Sequence, residues 1–75
     1  MDELTFGQKA VGASFNPSGS DHVGTAKQNF ATIIDQMNEL RTNTTSPEVK
    51  RLASVAITEA QTAQMWAVKA LTWKD

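Results

Sequence analysis

Six alanines near the C-terminus, Ala53, Ala56, Ala60, Ala63, Ala67 and Ala70, recur at spacings of 3, 4, 3, 4 and 3. That is a heptad rhythm built from the smallest apolar side chain. Larger seam residues hold helix axes about 8–10 Å apart, and alanine lets two backbones come closer. The same segment carries a second apolar stripe, Val55, Trp66 and Trp73, and a third, Ile57, Val68 and Leu71. One short partner helix cannot cover three stripes. The pattern therefore predicts an all-α chain whose last helix docks tightly and whose copies associate.

Size supports that expectation. A chain of 75 residues is one domain. At this length folding buries only about 60% of the surface that the unfolded chain exposes, so a staple or a partner is expected. There is no cysteine, hence no disulfide and no thiolate metal site. Seven basic and eight acidic side chains leave a net charge of -1, which is not the basic footprint of a DNA or RNA duplex binder. No apolar run approaches the roughly 18 residues of a membrane span. The acidic start Met1-Asp2-Glu3 is unlike a secretory signal. The expectation is a soluble protein that stays where it is made.

All four glycines precede residue 25, so the irregular part is N-terminal. Leu4 to Val11 reads as a short helix that Gly7 weakens. A turn-rich loop follows, Gly12-Ala13-Ser14-Phe15-Asn16-Pro17-Ser18-Gly19-Ser20. Residues 1–20 are thus a short helix and a glycine-rich loop. Ser20 or Asp21 caps a helix over 21–40, in which Val23, Ala26, Phe30, Ile33, Ile34, Met37 and Leu40 keep a helical period. Arg41 to Thr45 reads as a polar break. Ser46-Pro47-Glu48 starts the last helix, over 46–73, with a cap, a proline at the first helical position and an acid at the positive dipole end. The short connection makes the two long helices an antiparallel hairpin.

Little here suggests catalysis. The one histidine, His22, reads as solvated, and no second histidine or cysteine joins it for a metal. No nucleophile and base fall in a convincing arrangement. Asp35 and Glu39 share a helix face that points to water. Two features are more informative. The band Thr58, Glu59, Gln61, Thr62 and Gln64 interrupts the alanine-rich helix. It reads as an interhelical polar layer that sets register, the favoured reading from spacing alone, or as donors and acceptors facing a polar ligand between subunits. The loop from Phe15 to Ser20, with Asn16 and Ser18, opens onto a helix N-terminus that suits an anion, with Lys27 two turns on. Phe15 or Phe6 could stack on a base. The plainer alternative makes Phe15 a hydrophobic staple and Lys27 a solvated cation.

The run Ala56-Ile57-Thr58-Glu59-Ala60-Gln61-Thr62-Ala63-Gln64-Met65-Trp66-Ala67-Val68-Lys69-Ala70 resembles a phage family of small helical-hairpin proteins, the anti-CBASS sponges and the related anti-Thoeris sponges. Thr58, the Gln61-Thr62 pair, Met65, Lys69 and Ala70 carry the likeness. The helix from Asp21 to Leu40, with Lys27 near its start, is also similar. The resemblance spans about residues 20–73.

The resemblance implies a short helix packed on two long ones, assembled into an interlocked homo-oligomer, a hexamer. It implies a phage-encoded protein acting in the host cytoplasm, with no enzymatic activity and no cofactor. Such a protein binds cyclic di- or trinucleotides, or cyclic ADP-ribose-type signals, in intersubunit pockets and does not cleave them. Lys27 matches the family lysine that contacts a ligand phosphate. The family's stacking tyrosine lies upstream of that lysine. This chain has no tyrosine, and Phe15 is the candidate replacement. Thr58, Gln61 and Thr62 match the polar stretch of the last helix. An arginine often adjoins the matching threonine in the family; Ile57 stands here, with Arg51 and Lys50 as nearby basic alternatives. The competing expectation is a structural or interaction oligomer with no small-molecule ligand.

Overall fold

The computed structural model describes residues 3–75, and Met1 and Asp2, which open the acidic N-terminus, lie outside the described residues. Three helices follow in order: α1 (Phe6–Ala10), α2 (Asp21–Asn43) and α3 (Pro47–Thr72). No strand occurs among the described residues.

Local chemistry sets the boundaries. Ser46 caps α3, its hydroxyl accepting from the Val49 amide at 3.2 Å. Pro47 disfavours helical backbone in the residue before it, and Ser46 is extended at φ -83°, ψ 117°. Of the two candidate caps for α2, Ser20 does the work, accepting from the Val23 amide at 3.4 Å. Asp21 then complements the positive dipole end.

α2 continues through Asn43, past the end expected at Leu40. The residues of the supposed polar break satisfy their side chains along and across the hairpin. Thr42 donates to the Asn38 carbonyl at 2.8 Å, and Arg41 donates to Asn38 Oδ1 at 3.0 Å and to Ser54 Oγ at 3.2 Å. α1 is shorter than the expected Leu4 to Val11. Thr5 and Gln8 form a reciprocal capping box at its start, and Gly12, at φ +64°, turns the chain just after Val11.

α1 seats on α2 through a residue with no side chain. A Cβ on Gly7 would lie 2.1 Å from the Ala31 carbonyl oxygen. The Gly7 amide donates to Asp35 Oδ1 at 2.6 Å. This close crossing delivers Val11 to a small core with Ala31, Ile34 and Ile57, flanked by Ala10, Ala13, Phe30, Met37 and Ala60. Gln61 of α3 donates to the Ala10 carbonyl at 3.4 Å, tying the end of α1 to the hairpin.

The alanine seam divides into two rows. Ala53, Ala60 and Ala67 border the α2 contact and are buried or half-buried. Ala56, Ala63 and Ala70 lie further round, and Ala63 and Ala70 are exposed. The centre of the buried stripe is Ile57 and Gln64, at 5% and 6% exposure. Only about half of the seam is therefore used within the chain. The Cα atoms fill a thin slab, 46 × 33 × 12 Å. A core usually needs two packed layers, and Leu52, Val55, Met65, Trp66 and Leu71 of α3, with Trp73 just beyond it, all remain exposed.

Candidate functional site

The loop between α1 and α2 folds over the open end of the hairpin, away from the Thr44–Ser46 turn. It encloses a cleft of about 250 Å³ lined by Phe15, Asn16, Pro17 and Ser18 from the loop, Val23 and Lys27 from α2, and Val68 and Thr72 from α3. A hydrogen-bonded net shapes the loop. Asn16 Nδ2 donates to the Ser20 carbonyl at 3.0 Å, and Ser18 Oγ donates to Asn16 Oδ1 at 2.7 Å. Ser18 Oγ also accepts from the Ser20 amide at 3.2 Å. Gly19, at φ +64°, makes the last turn before the Ser20 cap.

Lys27 is the buried cation of this site, at 6% exposure. A buried ammonium is costly unless it is hydrogen-bonded. Its Nζ donates to the Gly12 carbonyl at 3.0 Å and to the Phe15 carbonyl. An ammonium has three donors, so one N–H is uncommitted among the described residues. Phe15 is 71% exposed, and its ring centroid lies 5.7 Å from Lys27 Nζ. The cleft thus combines a positive charge at its floor, an open aromatic face at its rim, and apolar walls from Val23, Pro17 and Val68. It adjoins the positive end of the α2 dipole, which Asp21 partly offsets. The neutral side-chain groups are largely engaged with one another, and Thr72 donates to the Val68 carbonyl at 2.8 Å. Such a site suits a compact anion with a flat ring.

Four of the candidate residues, Phe15, Asn16, Ser18 and Lys27, meet in this cleft. The other four do not. Gln61 is engaged with Ala10 as described. Thr58 and Thr62 are exposed one turn apart, and Thr62 donates to the Thr58 carbonyl at 3.2 Å. Arg51 lies near the hairpin turn in a bidentate pair with Glu48, at 2.6 and 2.9 Å. That guanidinium holds the Glu48 carboxyl below its ordinary range, and the carboxylate raises Arg51 in turn. Of the polar band on α3, Gln64 alone is buried. Ile57, which stands where an arginine is frequent in the resembling family, is part of the core.

Pro17, Val23, Val68 and Thr72 also line the cleft and were not among the candidates. Register could have found two of them. Ile34 and Ile57 share the core, and Val23 and Val68 lie eleven residues from them along α2 and α3. An antiparallel hairpin with a short turn must bring Val23 and Val68 together. A second, shallower hollow of about 280 Å³ lies on α3 between Thr62, Met65, Trp66 and Lys69. Among the described residues no group of three or more acidic or histidine side chains could hold a metal ion, and no helix is long and apolar enough to cross a membrane.

A short helix packed on a two-helix hairpin, with a loop folded over the open end, defines a small all-helical hairpin protein. The chain matches the family described as Acb2/Tad1, hairpin domain, over residues 8–72, and it belongs to that family, the anti-CBASS and anti-Thoeris sponges. At the level of the family, this means sponge-type proteins that sequester cyclic nucleotide signals of antiviral defence. Neither the curated proteins nor the solved structures contain a match.

Proposed function

We propose that this chain is a phage-encoded protein that captures a cyclic nucleotide immune signal in the host cytoplasm and holds it uncleaved. The ligand class is a cyclic di- or trinucleotide or a cyclic ADP-ribose-type signal. Lys27 is the phosphate contact, through its uncommitted N–H. Phe15 is the stacking platform, and Asn16 and Ser18 shape the rim. The pocket is completed by a neighbouring copy in an interlocked hexamer. Thr58, Gln61, Thr62 and Arg51, which lie outside the cleft of their own chain, contact ligand across subunit boundaries.

The observation that carries this reading is the pairing of a buried lysine, its ammonium bonded to backbone, with a phenylalanine left 71% exposed beside it. A cation at a cleft floor interacts with phosphate more strongly than a solvated one, because charge-assisted hydrogen bonds strengthen away from water. An exposed phenylalanine offers any base a π face. A cyclic dinucleotide carries two phosphates, and a symmetric pair of subunits would supply two lysines. The rigid helices limit the ordering cost of binding.

Calorimetry against a panel of cyclic dinucleotides, cyclic trinucleotides and cyclic ADP-ribose isomers tests the proposal. Saturable binding of at least one member is expected, and the ligand should come back chemically unchanged after heat denaturation. No binding across the panel, together with recovery of a stable protein partner, would favour the structural or interaction oligomer. That alternative draws on the exposed Trp66 and Trp73.

A further inference from the structure

The face of α3 that points away from α2 has no packing partner among the described residues. At 3.6 residues per turn, Val55, Glu59, Thr62, Trp66 and Lys69 fall within roughly a quarter of the helix circumference, and the C-cap Trp73 follows at the end of the same stripe. All six are exposed, and the two tryptophans are 64% and 65% exposed. Exposed tryptophans interleaved with polar and charged residues mark an interaction surface.

The charges on this stripe say what covers it. Glu59 and Lys69 sit five residues on either side of Gln64, Val55 and Trp73 nine, and Thr62 and Trp66 two. A two-fold axis at the level of residue 64 would run a second α3 antiparallel to the first. Glu59 then meets the partner's Lys69, and Lys69 meets the partner's Glu59. Val55 lies opposite the partner's Trp73, and Thr62 opposite the partner's Trp66. A parallel pairing would set Glu59 against the partner's Glu59 and Lys69 against the partner's Lys69, which repel. Lys69 is already aimed along the stripe, its Nζ 5.3 Å from the Trp66 ring and 5.8 Å from the Trp73 ring. The exposed Ala63 and Ala70 flank the stripe and let the second backbone approach closely.

We infer that the outward face of α3 is a two-fold, antiparallel interface with a second copy of this chain, registered by reciprocal Glu59–Lys69 pairs. The inference rests on the self-association in the proposed function and specifies one of its contacts. It does not depend on any ligand.

Sedimentation velocity on charge-swapped chains tests it. Glu59→Lys gives a stripe of two cations, and Lys69→Glu gives a stripe of two anions. Each single variant is expected to weaken this self-association by about tenfold or more, since each interface loses two attractions and gains two repulsions. Mixing the two variants in equal amounts should restore association, because every pair across the mixed interface is then complementary. The double variant Glu59→Lys/Lys69→Glu should restore it as well. Both positions are exposed, and circular dichroism checks that each variant keeps its helix. A wild-type protein that associates indifferently to either swap overturns this interface and leaves the ligand reading standing. Single variants that weaken without rescue overturn the register. A monomeric wild type overturns the interface outright. The swap pattern without cyclic nucleotide binding would uphold the interface and sink the ligand reading.

Discussion

Replacing Gly7 by alanine tests the docking of α1, because two physical effects give opposite signs. In a helix, alanine is better than glycine by about 1 kcal/mol, so propensity alone favours the substitution. The packing argues the reverse. The new Cβ would sit 2.1 Å from the Ala31 carbonyl oxygen and 2.9 Å from Asp35 Oδ1. To reach ordinary van der Waals separation, α1 must retreat by roughly 1 Å or more. The 2.6 Å bond from the Gly7 amide to Asp35 is then too long to count as a hydrogen bond. Losing a bond to a charged acceptor costs about 1.5–3 kcal/mol, and Val11 is drawn from the core it shares with Ala31, Ile34 and Ile57. After the gain in propensity, the net effect is a destabilisation of about 0.5–2 kcal/mol. For a domain of this size that lowers the melting temperature by roughly 2–16 °C. Thermal denaturation followed by circular dichroism, at one fixed protein concentration, reads it. A Gly7→Ala protein as stable as the parent, or more stable, would refute the close crossing.

Three further outcomes follow from the same contacts. Lys27→Ala removes the ammonium that ties the Gly12 and Phe15 carbonyls to α2 and leaves the Gly12 carbonyl with the Phe15 amide alone, so hydrogen exchange at the Phe15 and Gly19 amides should accelerate by about tenfold. Protection in the middle of α2 and α3 should not change, and general loss of protection would make Lys27 a core residue. Ser46→Ala removes the cap on Val49 and should cost about 1 kcal/mol in chemical denaturation; an unchanged midpoint would show that Pro47 alone starts α3. In NMR titration, Glu48 should ionise below the ordinary glutamate range and return to it in Arg51→Ala. The ionised form is the one favoured, so this pairing is present above the ordinary pKa and is lost as the pH falls through the lowered value.

The hairpin was legible because its signals are local. Ser46-Pro47 announces a helix start without help from the rest of the chain, and the periodicity of α2 survives Gly24. The end of α2 was not legible, since Arg41 is held partly by Ser54 on the other helix. Gly7 read as a weak point of α1, whereas its missing side chain is what allows α1 to dock. The loop and Lys27 could be nominated together from their order in the chain. That the ammonium is buried and bonded to two loop carbonyls depends on how the loop folds back, which no spacing encodes. The polar band on α3 read as one layer, yet the helix turns its members to different sides. Gln64 faces inward, Gln61 reaches α1, and Thr58 and Thr62 face outward.

Mass spectrometry of the small molecules released by heat from this protein, purified from a host with active nucleotide-signalling immunity, tests the central claim most directly. The account expects an intact cyclic nucleotide in near-stoichiometric amount, depleted when Lys27→Ala is purified in the same way. Recovery of a linear hydrolysis product, or of no nucleotide from a correctly folded protein, would contradict it.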